Sequence, residues 1–215
     1  MPDSPWTWNS KTKKYERNGV PVSEKEMRDI RDDFIRETER DIEEFMTDLL
    51  LASGIALSDV DAGDLYRWET KMRRLIRNVQ ADQYMLGRGG RDRMTLADWG
   101  RVGSNTRFLY SYLRRFAGEI EKGMLTSDAA RARAAMYVGA GVYAFERGRQ
   151  AAFGVAMLPG YPGVGTSCLS NCRCWWDYRP AGDYLIASWQ LEPGAKHCTE
   201  CIDRSVAWAE IPISA

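Results

Sequence analysis

Four long segments of the chain repeat apolar residues at the spacing of an α-helix, and this pattern constrains the fold more than any other feature. The first segment begins after Ser23 with a capping-box pattern, in which a serine hydroxyl accepts the amide hydrogen three residues later, and it ends at Gly54. Its apolar stripe comprises Met27, Ile30, Phe34, Ile42, Phe45 and Leu49. The second begins near Asp61 or Asp64 and ends before the glycine-rich stretch LGRGGRDR. Its stripe comprises Leu65, Trp68, Met72, Leu75, Ile76 and Val79.

The third and fourth segments follow the same pattern. Thr95 begins the third with a second capping-box sequence, and Gly123 ends it. Its stripe comprises Leu96, Trp99, Val102, Leu109, Leu113, Phe116 and Ile120. Thr126 precedes the fourth segment, whose many alanines and glycines allow close contact between helices. We therefore predict a bundle of long amphipathic helices over residues 23–157.

The two ends of the chain have a different composition. Aromatic residues and an Asn18-Gly19 turn signal between Trp6 and Val22 predict a hairpin or an extended arm over residues 1–22. The stretch LPGYPGVG marks a linker, and strand-like runs follow it in CRCWWDY, DYLIASWQL and SVAWAEI. The predicted fold class is mainly α, in which the helical body is followed by a small β-rich module, held by cysteines, over residues 158–215.

The charges of the chain balance overall but not locally. Thirty basic and thirty acidic residues give a formal net charge of zero, which argues against a strongly basic nucleic-acid binder. The segment 24–48 has 11 acidic and 5 basic residues, and the segment 67–115 has 12 basic and 4 acidic residues. These segments can dock on each other or face different partners. With no signal-peptide pattern and no apolar stretch of membrane-spanning length, we expect synthesis in a cytoplasm, where disulfides are disfavoured.

Five cysteines lie close together in the C-terminal module. The spacing Cys168-x3-Cys172-x-Cys174 is followed by Cys198-x2-Cys201. A Cys-x2-Cys pair can aim two thiolates at one ion. Residues two apart in a strand share a face, so a strand here would point Cys172 and Cys174 in the same direction. The arrangement resembles a zinc ribbon and predicts a structural zinc ion bound by Cys198 and Cys201 plus two of the other three cysteines.

Other interpretations of these residues stay open at this stage. Free thiols would give the same pattern, disulfides would leave one of five cysteines unpaired, and a redox pair normally belongs to a βαβ pattern that is absent here. His197, the only histidine, can replace a cysteine as a ligand. Five tryptophans are expected in the core, although they could also stack on bases: Trp99, Trp175, Trp176, Trp189 and Trp208.

No catalytic set emerges from the sequence. The lone histidine lies inside the predicted metal site, and the common hydrolase and nucleotide-binding motifs are absent. A zinc ion with four protein ligands has no position for a reactive water molecule. We therefore expect no enzymatic activity and no small-molecule substrate.

The run Asn171–Cys174 also carries a resemblance to a known family. It is similar to the terminal signature of phage head morphogenesis proteins, the phage Mu F-like minor head family, which often shows His-Pro-Asn-Cys-Arg-Cys before strand residues. Leu169 and Ser170 stand where the family usually has histidine and proline, and Cys168 is placed to supply the missing ligand. The stretches MTLADWGRVG and YLRRFAGEI also resemble phage minor head proteins. The resemblance covers about residues 60–205.

The resemblance implies a minor structural protein of a tailed-phage virion, made in the host cytoplasm. Such a protein would associate with the portal protein or the major capsid protein and aid head assembly and DNA packaging or ejection, with contact to packaged DNA and none to a membrane. The alternative is a nucleic-acid-binding zinc module that uses the basic region Arg67–Arg115 on phosphates.

Overall fold

The computed structural model describes residues 4–52 and 60–214. Within that part of the chain there are five α-helices and two small antiparallel sheets, which confirms the predicted fold class. The helices are α1 (Glu24–Ala52), α2 (Ala62–Arg88), α3 (Leu96–Glu121), α4 (Ser127–Phe153) and α5 (Thr199–Ala207). The strands are β1 (Thr7–Asn9), β2 (Lys14–Arg17), β3 (Val20–Pro21), β4 (Trp175–Ala181), β5 (Tyr184–Gln190) and β6 (Ile211–Ser214).

The predicted helix starts are confirmed by their caps. Thr95 and Asp98 form a reciprocal capping box at the start of α3, and the Thr126 hydroxyl accepts the amide hydrogen of Ala129. At α1 the Ser23 hydroxyl accepts the amide hydrogen of Glu26, but the Glu26 carboxylate pairs with Arg17. The predicted end of α1 at Gly54 lies outside the described residues.

Helix α2 lies at the centre of the bundle and packs against α1, α3 and α4. Its predicted stripe is fully buried, and Trp68 meets Phe116 of α3 edge to face at 5.3 Å between ring centroids. The predicted stripe of α3 is wrong at its first turn. Leu96 is 91% exposed and Trp99 is 38% exposed, because α3 buries only the side that faces α2 and α4.

The crossing of α2 and α4 depends on glycine. A Cβ atom on Gly87 would overlap the carbonyl oxygen of Phe145, and a Cβ atom on Gly148 would overlap the carbonyl oxygen of Tyr84. The two backbones therefore touch at this point, with no room for a side chain on either residue. The small residues of the fourth segment thus serve the close helix contact that the sequence predicts.

The predicted N-terminal hairpin is a three-stranded antiparallel sheet, β1-β2-β3. Asn18 and Gly19 both have positive φ, at 53° and 80°, as a tight turn between paired strands requires. The sheet packs on the end of α4, where the rings of Trp8 and Phe153 are 4.4 Å apart.

The C-terminal module contains a second antiparallel sheet, β4-β5-β6, and the short helix α5. The prediction of a strand in SVAWAEI is wrong over Ser205–Ala207, which form the last turn of α5. The ring of Phe153 stacks on Tyr178 of β4 at 4.4 Å, so the N-terminal sheet and the C-terminal module contribute to one hydrophobic cluster. The division into units at 1–22, 23–157 and 158–215 stays a prediction.

Candidate metal centre

Two segments of the C-terminal module carry the cysteines. Cys168 precedes a 3-10 turn over Leu169–Asn171, which closes when the Asn171 amide donates to the Cys168 carbonyl at 2.9 Å. Cys172, which has an extended backbone, and Cys174 follow immediately before β4. Both residues therefore lie outside β4, so the prediction that a strand points them in the same direction does not apply.

The other two cysteines belong to α5. Cys198 is the residue that caps its N-terminus, and Cys201 lies in its first turn. The Cys-x2-Cys spacing thus corresponds to the start of a helix. This places both sulfur atoms on the side of α5 that faces the turn at Cys168.

The fold brings all five predicted cysteines together. The Sγ atoms are 3.5 Å apart between Cys168 and Cys198, 3.7 Å between Cys168 and Cys201, and 3.7 Å between Cys172 and Cys201. Zinc–sulfur bonds of about 2.3 Å in a tetrahedron separate neighbouring sulfurs by about 3.8 Å. All five cysteines are free thiols. The cluster therefore has the donors and the spacing to hold a metal ion.

The sulfur atoms form two triads that share one member. Cys168, Cys198 and Cys201 lie within 4.8 Å of one another, and so do Cys172, Cys174 and Cys201. The second triad is fully buried, whereas Cys168 and Cys198 in the first are half-buried. One side of the cluster therefore faces the core and the other faces solvent.

Close contact between the thiols gives them different pKa values. A hydrogen bond from the Cys174 thiol lowers the pKa of Cys172 to about 5, and the same contact raises the pKa of Cys174. Burial raises the pKa of Cys168 to about 11 and also raises that of Cys201. Most of these sulfurs thus carry protons in the metal-free protein, and a metal ion would have to displace them.

His197 lies beside the cluster, next to Cys174. Its Nδ1 atom is 3.7 Å from the Cys174 Sγ atom, and its Nε2 atom is 2.9 Å from the Glu192 carbonyl oxygen. A carbonyl acceptor at Nε2 favours the tautomer in which Nε2 carries the proton and Nδ1 has a free lone pair. The structure therefore places a nitrogen donor, the Nδ1 atom of His197, next to the buried triad.

Three residues that sequence reasoning missed, Arg204, Ser167 and Glu200, hold the segments together. Arg204 of α5 donates hydrogen bonds to the carbonyl oxygens of Val164 at 3.0 Å and Gly165 at 2.9 Å, in the loop that leads to Cys168. The Ser167 hydroxyl donates to Glu200 at 2.6 Å, and this hydrogen bond lowers the pKa of Glu200 to about 2. These contacts join residues that are more than thirty positions apart, so local sequence gave no signal for them.

The tryptophans of the module form its core. Trp176 stacks on Trp208 at 5.7 Å and meets Trp189 edge to face at 5.3 Å. The Arg204 guanidinium lies 4.9 Å from the Trp208 ring centroid. The prediction of core packing is confirmed for Trp175, Trp176 and Trp189, which are buried, and it is wrong for the exposed Trp99.

The basic region Arg67–Arg115 is partly neutralised within the fold. Five of its basic residues form ion pairs with carboxylates: Arg67, Lys71, Arg73, Arg88 and Arg101. One of these ion pairs, between Lys71 and Asp48 at 2.9 Å, joins the basic region to the acidic segment 24–48. Within the two segments, α1 and α2 pack on each other mainly through their apolar side chains rather than through charge pairing.

Helix α3 leaves a wide surface in solvent, which we call the α3 outer face. It comprises Leu96, Gly100, Arg101, Gly103, Arg107, Phe108, Tyr112, Arg114 and Arg115. The rings of Phe108 and Tyr112 meet edge to face at 4.9 Å, and the Arg115 guanidinium lies 5.5 Å from the Tyr112 ring centroid. Aromatic and cationic groups thus lie side by side on an exposed helix.

Fold and site together define a mainly helical protein with a C-terminal cysteine cluster that can hold a metal ion. No family model matches the chain, and no curated protein or solved structure is significantly similar to it. In the part of the chain that the structure describes, no helix is both long enough and apolar enough to cross a membrane.

Proposed function

We propose that this chain is a minor structural protein of a tailed-phage head, which associates with the portal or major capsid protein. It would aid head assembly and DNA packaging or ejection from within the virion. The observation that carries the proposal is the position of the Asn171–Cys174 run. It stands directly before β4 and contributes two thiols to the cysteine cluster. A helical body, a Pro/Gly linker and this module follow one another in the order that the Mu F-like resemblance implies.

A structural zinc ion fits this role. Thiolates are soft donors that favour zinc, and a zinc ion in the cluster would join the segment 168–174 to α5. The ion would thereby hold together a module of short strands, whose own hydrophobic core is small. In this proposal the protein has no catalytic activity.

The α3 outer face is the surface that we propose for the partner. Between Asp98 and Glu119 the helix contains four arginines and no acidic residue. Leu96 and Phe108 are 91% and 56% exposed on the same helix. Exposed apolar side chains interspersed with arginine are typical of protein interfaces, and the positive charge favours an acidic surface. We therefore propose that an acidic surface of the portal or capsid protein covers this face.

A nucleic-acid ligand is the second candidate for the same face. Phe108 and Tyr112 offer rings on which bases could stack, and Arg107, Arg114 and Arg115 could contact phosphates. Binding to phosphates releases counterions, so the affinity for DNA would fall steeply as the salt concentration rises. This dependence separates the two candidates.

The test is co-sedimentation of the full chain with assembled portal and capsid protein from the same phage genome. We expect the wild-type chain to sediment with one of them and the double variant Arg107→Glu/Arg115→Glu to bind at least about tenfold more weakly. The matched control is Arg36→Glu/Arg40→Glu, which makes the same charge change on the exposed side of α1.

Three results would contradict the proposal. Equal binding by both double variants would exclude the α3 outer face. Failure to sediment with either head protein would overturn the head function itself. Tight binding to duplex DNA with a steep salt dependence, and none to the head proteins, would establish the nucleic-acid candidate instead.

A further inference from the structure

The cysteine cluster contains more donor atoms than one zinc ion can use. Five Sγ atoms and the Nδ1 atom of His197 lie in one connected group. A structural zinc ion takes four ligands in a tetrahedron. Two donors are therefore left over if the cluster binds a single ion.

The arrangement of the sulfurs also differs from a single tetrahedron. In a tetrahedral site all four ligand atoms are neighbours of one another. Here the described cysteines form two groups of three, each within 4.8 Å, and Cys201 belongs to both. Each group has the dimensions of one triangular face of a zinc tetrahedron, whose edges are about 3.8 Å. The two faces meet at the Cys201 sulfur.

His197 has the surroundings of a metal-bound histidine. A histidine that binds a metal through one ring nitrogen usually donates the other N–H to a carbonyl or carboxylate group. The Nε2 atom has such an acceptor in the Glu192 carbonyl, at 2.9 Å. The Nδ1 atom lies 3.7 Å from Cys174 Sγ, close to the nitrogen–sulfur distance of about 3.6 Å in a zinc site.

We propose that the cluster binds two zinc ions, with the Cys201 thiolate as a bridge between them. Cys168 and Cys198 hold the first ion together with Cys201. Cys172, Cys174 and the Nδ1 atom of His197 hold the second. This inference rests on the proposed structural zinc. It raises the number of zinc ions from one to two and adds His197 to the ligands.

The two ions would differ in their exposure to solvent. The second has four protein ligands, and its cysteines are buried, so it is a closed structural site. The first has three protein ligands, and Cys168 and Cys198 are half-buried, so its fourth position faces solvent. The first ion is therefore expected to exchange faster and to be removed first by a chelator.

The test is native mass spectrometry of the full chain after titration with zinc, with elemental analysis as an independent measure of metal content. We expect two zinc ions per wild-type chain. His197→Ala removes a ligand from the second ion alone and should weaken one of the two binding steps by about 10–100-fold. Lys196→Ala, at the exposed neighbouring position, is the matched control and should bind two ions like the wild type.

A spectroscopic measurement covers the case in which a variant folds poorly. Cadmium-113 NMR of the wild-type chain loaded with cadmium should give two resonances of equal intensity, from a site with three sulfurs and a site with three sulfurs and one nitrogen. Saturation at one ion per chain, unaffected by His197→Ala, would overturn the two-ion inference and leave a single structural zinc in place. Binding of no metal would overturn both, while co-sedimentation with head proteins tests the head function separately.

Discussion

The Nη2 atom of Arg149 donates two hydrogen bonds of 2.7 Å to the two carboxylate oxygens of Glu24, which lies 125 residues earlier in the chain. The Nη1 atom of the same buried guanidinium donates to the Trp176 carbonyl at 2.8 Å. One side chain of α4 thus joins the start of α1 to the first strand of the C-terminal sheet. Glu146, also fully buried, accepts a further hydrogen bond from it at 3.3 Å.

Removal of this guanidinium should be among the most damaging substitutions in the chain. Arg149→Met leaves Glu24 and Glu146 without their shared cation, and breaking a buried ion pair costs about 3–5 kcal/mol of unfolding free energy. Urea denaturation measures the loss. Arg179→Met is the control, because its ion pair with Glu210 is exposed and should be worth about 0–1 kcal/mol. Similar losses in the two variants would contradict the role that we assign to Arg149.

The glycine contact between α2 and α4 gives a second prediction. Gly148→Ala forces a Cβ atom against the backbone of Tyr84, which cannot move without shifting α2, and should cost at least about 3 kcal/mol. Gly103→Ala is the matched control, because no atom of the described residues lies within 4 Å of its Cβ position on the surface of α3. The control should gain about 0.5–1 kcal/mol from its higher helix propensity. Thermal unfolding of both variants checks the opposite signs.

Asp82 should make stability depend on pH. It lines a groove of about 960 Å³ between α1 and α2, and burial raises its pKa to about 6. Between about pH 4 and pH 6 the folded chain holds a proton that the unfolded chain has lost, so the unfolding free energy falls as the pH rises through this window. Above pH 6 the charged carboxylate is fully destabilising.

The substitution Asp82→Asn removes this cost. We expect it to raise the unfolding free energy by about 1 kcal/mol at pH 7, a value that allows for partial exposure to solvent, and to have little effect at pH 4. Urea denaturation at the two pH values measures both changes. Asp92→Asn, at an exposed position, should leave stability nearly unchanged at either pH. A gain for Asp82→Asn that is the same at pH 4 and pH 7 would exclude titration of this carboxyl group as the cause.

Removal of metal should affect the C-terminal module before the helical bundle. The cysteines belong to the same hydrophobic cluster as Trp176 and Trp189, whereas the bundle core around α2 contains none of them. A chelator should therefore weaken the near-ultraviolet circular dichroism of the tryptophans and lower the stability of the module by at least about 2 kcal/mol. The far-ultraviolet helical signal should change little. Loss of both signals together would show that bundle and module unfold as one unit.

The long helices could be predicted because their signals are local. Caps at Ser23, Thr95 and Thr126 fix the starts, and apolar periodicity identifies the face that packs. The width of the buried side of a helix, however, is not encoded by local sequence, because it depends on how many other helices pack against it. Leu96 and Trp99 lie at the edge of the stripe of α3, where none of the described helices covers them. The sequence pattern alone could not show this.

The C-terminal module was harder to predict. The run Ser205–Ala207 has the composition of a strand but continues the helix that Cys198 caps, because short apolar runs fit either structure. All five cysteines could be identified from their spacing. Their division into two triads could not, since it depends on how α5 lies against the turn at Cys168. Whether His197 replaces a cysteine as a ligand also depends on this packing, so the sequence left that question open.

The shared cluster of the N-terminal sheet and the C-terminal module has a consequence for synthesis. Trp8 leaves the ribosome long before Phe153 and Tyr178, with which it forms that cluster. During this interval Trp8 has Tyr15 of β2 as a native partner, with ring centroids 4.8 Å apart, but the side of Trp8 that packs on Phe153 is exposed to water. A nascent chain of this protein therefore exposes aromatic surface at β1, to which chaperones can bind, until the end of α4 has been synthesised, and a product that stops before Phe153 keeps that surface exposed.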